Sequence, residues 1–182
     1  MTDETYMNNI IGLMVLKYDN IINGGNQWSI NKKFYEELYN TYNINIEGFA
    51  SPLNAALIGK NIPFCSIFES DKHFGSIGNF FNMEESTLVG KTISVNPPFV
   101  ESIIDKACNT TLEWLSNYSN INLIIMAPNW VDATFYNKWK KSKYCKHSRI
   151  YNKRQLCVEH TKGQKVIKIN NNFRMILYHL KN

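Results

Sequence analysis

The chain has little of what secreted and membrane-bound proteins depend on. It holds four cysteines in 182 residues. Cys65, Cys108, Cys145 and Cys157 show no framework spacing, which argues against a disulfide scaffold and for a reducing compartment. The longest apolar run, residues 123–127, has the length of a strand and falls far short of the ~20 residues that a membrane helix needs. The start, Met1-Thr2-Asp3-Glu4, lacks the basic region of a signal peptide. An intracellular protein of the nucleus or cytoplasm is expected, not secreted and without a membrane partner. Five prolines and nine glycines leave no Pro/Gly/Ser linker long enough to separate domains. No P-loop, Gly-x-Ser-x-Gly or His-Glu-x-x-His occurs, so NTPase and hydrolase chemistry have no foothold.

What is present is the make-up of a folded globular chain: 44% hydrophobic, 13% aromatic and 19% charged residues. One domain over residues 1–182 is expected, with a helical part over about 1–43 and an α/β core over about 44–182. The formal charge of +5 favours a polyanionic partner. Abundant Asn, Ile, Lys and Tyr fit an AT-rich genome, such as that of a protist or a large DNA virus. Met7, Ile10, Ile11, Met14, Val15, Tyr18, Ile21 and Ile22 recur at helical spacing. A second helix carries Phe34, Leu38 and Tyr42, with Ser29 as a candidate N-cap. Residues 44–49, 62–68 and 92–95 read as strands, 100–118 as a helix, 123–127 as a buried strand and 135–144 as a helix. Residues 148–151, 166–169 and 174–178 read as extended, and Asn170-Asn171-Asn172 suits a hairpin turn between the last two. The pattern predicts an α/β fold: a mostly parallel sheet with an antiparallel edge hairpin, behind N-terminal helices.

The stretch with most chemical content is Asn96-Pro97-Pro98-Phe99. The prolines stiffen the chain at a strand end and hold the Asn amide and the Phe ring on a fixed spur. Rigid polar groups past the carboxyl end of a strand are where α/β folds bind ligands. The exocyclic amine of adenine is a poor nucleophile because its lone pair is delocalised into the ring. Two acceptors on its hydrogens, the Asn96 side-chain oxygen and the Pro97 carbonyl, would free that lone pair. Phe99 could then stack on the base. The same four residues also describe a plain strand end with a proline turn.

Several motifs occur in a fixed order: Phe49-Ala50-Ser51-Pro52-Leu53-Asn54, Phe64-Cys65-Ser66-Ile67-Phe68, Phe74-Gly75-Ser76 and Asn96-Pro97-Pro98-Phe99-Val100-Glu101. With Pro128-Asn129-Trp130 after them, the set resembles the phosphorylated-CTD-interacting-factor family, the cap-specific adenosine N6-methyltransferases, across roughly residues 10–180. The resemblance implies a Rossmann-like class I methyltransferase fold, S-adenosylmethionine as methyl donor and RNA, in particular capped mRNA, as partner. It implies catalytic roles for Asn96, Pro97, Pro98 and Phe99, and a donor site on Phe49, Ala50, Ser51, Pro52, Leu53 and Asn54. Glu69 and Asp71, after the second strand, are candidates for the ribose hydroxyls. Phe74, Gly75, Ser76, Phe99 and Glu101 are expected on the substrate side. The family also carries a helical domain and a WW module that this chain is expected to lack, so a partner subunit could supply cap recognition. DNA or internal-RNA adenine, or a catalytically idle RNA-binding subunit, are the alternatives.

A basic segment follows. Lys138, Lys140, Lys141, Lys143, Lys146, Arg149, Lys153 and Arg154 are interleaved with Trp139, Tyr144 and Tyr151, with no acid between Asp132 and Glu159. Lys140, Lys141, Lys143, Arg149 and Arg154 are expected to track RNA phosphates while the rings stack bases. A solvated helix face is the plainer reading of such a run. Cys145-x-His147 and Cys157-x-x-His160 match no common zinc spacing, and no metal is expected.

Overall fold

The computed structural model describes residues 3–21, 29–152, 158–162, 165–169 and 174–182. In chain order its elements are α1 (Asp3–Ile21), β1 (Ser29–Ile30), α2 (Lys32–Tyr42), β2 (Ile46–Glu47) and α3 (Glu85–Leu88). Next come β3 (Thr92–Val95), α4 (Glu101–Asn117), β4 (Asn122–Pro128), α5 (Thr134–Lys140) and β5 (Cys145–Tyr151). The last three strands are β6 (Val158–Lys162), β7 (Lys165–Ile169) and β8 (Met175–Lys181).

The main sheet has the order β2-β3-β4-β8-β5. β2, β3 and β4 pair in parallel, and β8 lies antiparallel between β4 and β5. Every strand but β8 therefore runs the same way, which makes this the mostly parallel α/β sheet expected. Beyond β2 the sheet continues as parallel bridges from Glu47 to Phe64 and from Phe64 to Ser76. Counted from β2 in chain order, the pieces lie as 3-2-1-4-5. The order reverses between β2 and β3, and ligands of doubly wound folds sit outside the carboxyl ends of the strands at such a reversal.

Alternation along the strands builds the core on both faces of this sheet. Leu123, Ile125 and Ala127 of β4 meet Ile104, Ala107 and Trp114 of α4 and Trp139 of α5. Ile124 and Met126 meet Tyr35 and Leu38 of α2. β8 divides likewise, with Ile176, Tyr178 and Leu180 on the first side and Met175 and Leu177 on the second. A strand covered on both faces reads as a continuous apolar run, as residues 123–127 do.

Several expectations are corrected. The hairpin between residues 166–169 and 174–178 does not form: β7 pairs with β6 in a separate antiparallel sheet of order β1-β6-β7. β8, apolar on both faces, takes an interior place instead, and the Asn170-Asn171-Asn172 turn lies outside the described residues. The strand expected at 62–68 shrinks to the bridges of Phe64. Ser29 belongs to β1, and the N-cap of α2 is Asn31, whose side chain accepts from the Phe34 N–H at 3.3 Å. In α1, Tyr18 is buried while Met7, Ile11 and Val15 are exposed, so its apolar spacing only partly marks a core face. Among the described residues, no helix is long and apolar enough to cross a membrane.

Candidate active site

Glu47 closes β2, and the chain then passes hard against β3. The Gly48 N–H donates to the Ser94 carbonyl at 2.7 Å. A Cβ at Gly48 would stand 2.8 Å from that oxygen and from the Phe80 ring, so glycine is required by space. Phe49 packs on Phe80, with ring centroids 4.3 Å apart, and the Ala50 N–H reaches the Cys65 carbonyl at 3.0 Å. The loop that follows is folded on itself. Asn54 Oδ1 accepts from the Ser51 N–H at 2.7 Å and from Ser51 Oγ at 3.1 Å. The Glu47 carboxylate accepts from the Ala56 N–H at 3.1 Å and the Leu57 N–H at 2.5 Å.

β3 ends at Val95 and runs into Asn96-Pro97-Pro98-Phe99. The Pro98 carbonyl accepts from the Val100 N–H at 2.7 Å, closing a turn from which α4 begins at Glu101. Asn96 Oδ1 is buried and has no hydrogen-bond partner among the described residues, whereas buried polar atoms nearly always have one. Between the two strand ends lies a cavity of about 290 Å³, close to the lower bound of about 300 Å³ for small-molecule sites. Its wall takes in the whole 96–99 spur, Phe49, Ala50, Ser51 and Asn54 from the loop, and Glu47, Ser66 and Tyr18.

Electrostatics limit what this cavity can do. Glu47 is 2% exposed, and burial pushes its carboxyl up to about 7 against the opposing pull of its two backbone donors. Tyr35, hydrogen-bonded to Ser94 Oγ at 2.5 Å, is raised by burial and by the Glu47 charge beside it. Burial also pushes the Cys65 thiol up to about 12, which removes it as a nucleophile at neutral pH. Among the described residues, no group of three or more His, Cys, Asp or Glu could hold a metal. Cys157 and the side chain of His160 lie outside them. The site is built to bind and orient through acceptors and apolar walls.

The structure brings Phe49, Ala50, Ser51 and Asn54 to the cavity together with Asn96, Pro97, Pro98 and Phe99. Pro52 and Leu53 belong to the same loop and stand outside the wall. Neither candidate ribose acid reaches it. Glu69 is exposed and paired with Lys72. Asp71 is 0% exposed, its carboxylate taken by Lys17 Nζ at 2.6 Å, the Tyr18 hydroxyl and Ser66 Oγ. Phe74, Gly75 and Ser76 are also absent from the wall. Gly75 is a left-handed cap at φ +96°, and Ser76 Oγ accepts from the N–H groups of Ser66 and Gly78. Glu101 is exposed on the first turn of α4.

The basic segment is split across the sheet. Lys140 reaches the Tyr136 hydroxyl on α5, Lys141 caps α5 and Lys143 lies over Tyr144, all on the α4/α5 side. Arg149 lies over Tyr151, which packs with Phe34 on the α2 side. Trp139 is 0% exposed and donates to Thr111, so it stacks no base, and Arg154 lies outside the described residues. The wall also takes in Tyr18, Tyr35 and Glu47, none of which the sequence marked as a site residue. The available sign for Glu47 was an acid closing an alternating strand just before glycine.

The family model described as phosphorylated CTD interacting factor 1 WW domain matches residues 1–161. The mouse and human proteins named mRNA (2'-O-methyladenosine-N(6)-)-methyltransferase are 26% and 28% identical over 130 residues, 69% of this chain. The chain spans less than a fifth of the length of these relatives, 17% and 18%. The crystal structure of a SAM-dependent O-methyltransferase from Thermotoga maritima aligns with a TM-score of 0.46 at 8% identity, over 83% of this chain and 64% of that one. That likeness is too remote to bear on chemistry. With most of its residues inside the family match, the chain belongs to the phosphorylated CTD interacting factor 1 family.

Proposed function

We propose that the chain is an S-adenosylmethionine-dependent adenine-N6 methyltransferase that acts on RNA, at the cap-proximal 2'-O-methyladenosine of mRNA. The observation that carries this reading is the buried Asn96 Oδ1, an acceptor without a donor among the described residues, at the carboxyl end of β3 beside the cavity. The printed name of the mouse and human relatives supports the substrate class. In this reading a partner subunit supplies cap recognition.

The cavity residues fit the donor. Aromatic and apolar surface from Phe49, Phe68 and Ile103 suits a purine, and Glu47, Ser51, Ser66 and Asn54 offer the few polar groups that orient a ligand. S-adenosylmethionine supplies an electrophilic methyl group on a sulfonium centre. Asn96 Oδ1 and the Pro97 carbonyl bind the two hydrogens of the adenine amine and turn its lone pair outward. Phe99 supports the face of the base. Transfer would leave the S–CH3 bonding pair on sulfur, and the methylated nitrogen would lose one proton to solvent. Rate then comes mainly from positioning.

The test is methyl transfer by purified protein to capped RNA, uncapped RNA and DNA oligonucleotides, with mass spectrometry of the nucleosides. N6-methylation of the first transcribed adenosine of capped RNA is the expected result. Product confined to DNA or to internal adenines would move the function to those substrates. Binding of donor and RNA without any methylated adenine would make the chain an idle subunit.

A further inference from the structure

Asp71 is fully buried, yet it is absent from the cavity wall. Its carboxylate is bonded from three sides. Lys17 Nζ donates to Oδ1 at 2.6 Å, while Ser66 Oγ, at 2.5 Å, and the Tyr18 hydroxyl both donate to Oδ2. Lys17 also donates to Ser70 Oγ at 2.8 Å and lies over the Phe68 ring, 4.4 Å from its centroid. Tyr18, Ser66 and Phe68 all line the cavity. A buried carboxylate demands such partners, but two of its three donors are wall residues. The acid stands one bond behind the wall.

That bond decides what the wall can offer. A carboxylate only accepts. Tyr18 and Ser66 each carry one hydroxyl hydrogen, and Asp71 takes both. Burial, and after it the bond to Asp71, push the Tyr18 hydroxyl well above its usual range, so the hydrogen stays in place. The two oxygens keep only lone pairs for a ligand, and Ser66 Oγ uses one of its two on the Phe68 N–H at 3.3 Å. A ligand group beside them has to bring hydrogens. Doubly wound folds hold a ribose past the second strand, where an acid meets its hydroxyls. Here Ser66 stands just past the Phe64 bridges, and Glu69 is turned away to Lys72. Two adjoining ribose hydroxyls bring two hydrogens to two oxygens that share one carboxylate atom.

We propose that Ser66 and Tyr18 accept hydrogen bonds from the ribose hydroxyls of the methyl donor, and that Asp71 is a positioning residue that fixes the direction of their hydrogens. The assignment rests on the donor reading of the cavity. Isothermal titration of the whole chain with S-adenosylhomocysteine, the demethylated product, and with its 2′-deoxy and 3′-deoxy forms tests it. Each deoxy form should bind the wild type about tenfold more weakly, as loss of one hydrogen bond does. Ser66→Ala and Tyr18→Phe should each weaken the parent ligand by about the same factor, and each should cease to distinguish it from one of the deoxy forms. In Asp71→Asn the amide oxygen stays on Lys17, so the amide N–H groups face the two hydroxyls and turn their hydrogens towards the cavity. That variant should lose most of the preference for ribose, whatever its melting temperature; if it does not fold, the other two decide. If the network only pins α1 to the core, the variants will lower the melting temperature and weaken all three ligands by equal factors, which overturns the assignment. Equal binding of the three ligands by the wild type would overturn it with the donor reading intact. A wild type that binds none of them would overturn both.

Discussion

Asn96 carries its side-chain oxygen into a buried position without a donor among the described residues, and such an atom has given up water for nothing among them. Removing it is therefore cheap for folding and costly for function. Asn96→Ala should leave thermal stability unchanged or slightly higher and leave donor binding intact. It should lower methyl transfer on the order of a hundredfold or more, as loss of one preorganised transition-state contact does. Calorimetry and single-turnover kinetics check both halves, and a variant with full activity would sink the amine clamp. Glu47 is the opposite kind of residue, satisfied twice by backbone N–H groups yet buried as a charge. Its carboxyl is raised in the folded protein from 4.5 to about 7, so the folded form holds this proton more tightly than the unfolded one. Its contribution to stability is full below about pH 4.5 and is lost as pH climbs to about 7, by an amount on the order of 3 kcal/mol. Glu47→Gln cannot ionise, so its unfolding free energy should lack this decline. Parallel pH profiles for the two proteins in denaturant titrations would show that the raised carboxyl is not there.

At the scale of elements, the site depends on two strand ends brought against each other. Gly48 is the point of closest approach, 2.8 Å from the Ser94 oxygen and the Phe80 ring once a Cβ is added. Gly48→Ala should push β2 away from β3 and cost about 1–3 kcal/mol as overpacking does. Because the same shift opens the cavity mouth, donor affinity should fall in isothermal titration by more than stability alone explains; an unchanged dissociation constant would separate the two effects. This junction also shows what the sequence could disclose. The 96–99 spur and the Phe49-to-Asn54 loop were legible because proline, glycine and strand alternation act locally. The acids were not, since Asp71 looked like a turn acid near a ribose and its fate was decided by Lys17 and Tyr18, 53 or more residues away in sequence. The basic segment misled for a related reason. Lys140, Lys141 and Lys143 lie on the α5 side of the sheet, whereas Arg149 of the edge strand β5 lies over Tyr151 on the α2 side, and only the packing of α2 on one face and α5 on the other reveals it. The hairpin failed likewise, because β8, apolar on both faces, takes an interior place between β4 and β5.

At the scale of the molecule, the sheet carries its apparatus along one rim, and the cavity is walled by pieces from far-apart parts of the chain. Tyr18 comes from α1, Glu47 from β2, Ser66 from beside the Phe64 bridges and Asn96 from the turn after β3. The unfolded chain presents none of this geometry, so a ligand of the cavity binds the folded form alone and must raise its stability by mass action. At a donor concentration a hundred times its dissociation constant the gain is about 2.7 kcal/mol. For a domain of this length, 1 kcal/mol moves the melting temperature by roughly 2–4 °C. S-adenosylmethionine, or its demethylated product, should therefore raise the melting temperature by roughly 5–10 °C, in a manner that saturates with concentration. Asn96→Ala should keep the shift, since that amide is assigned to the target base. Gly48→Ala should reduce it, since that glycine shapes the donor side. A wild-type protein whose melting temperature ignores the donor would place the donor site elsewhere, and the rim would then have to be read as a nucleic-acid surface alone.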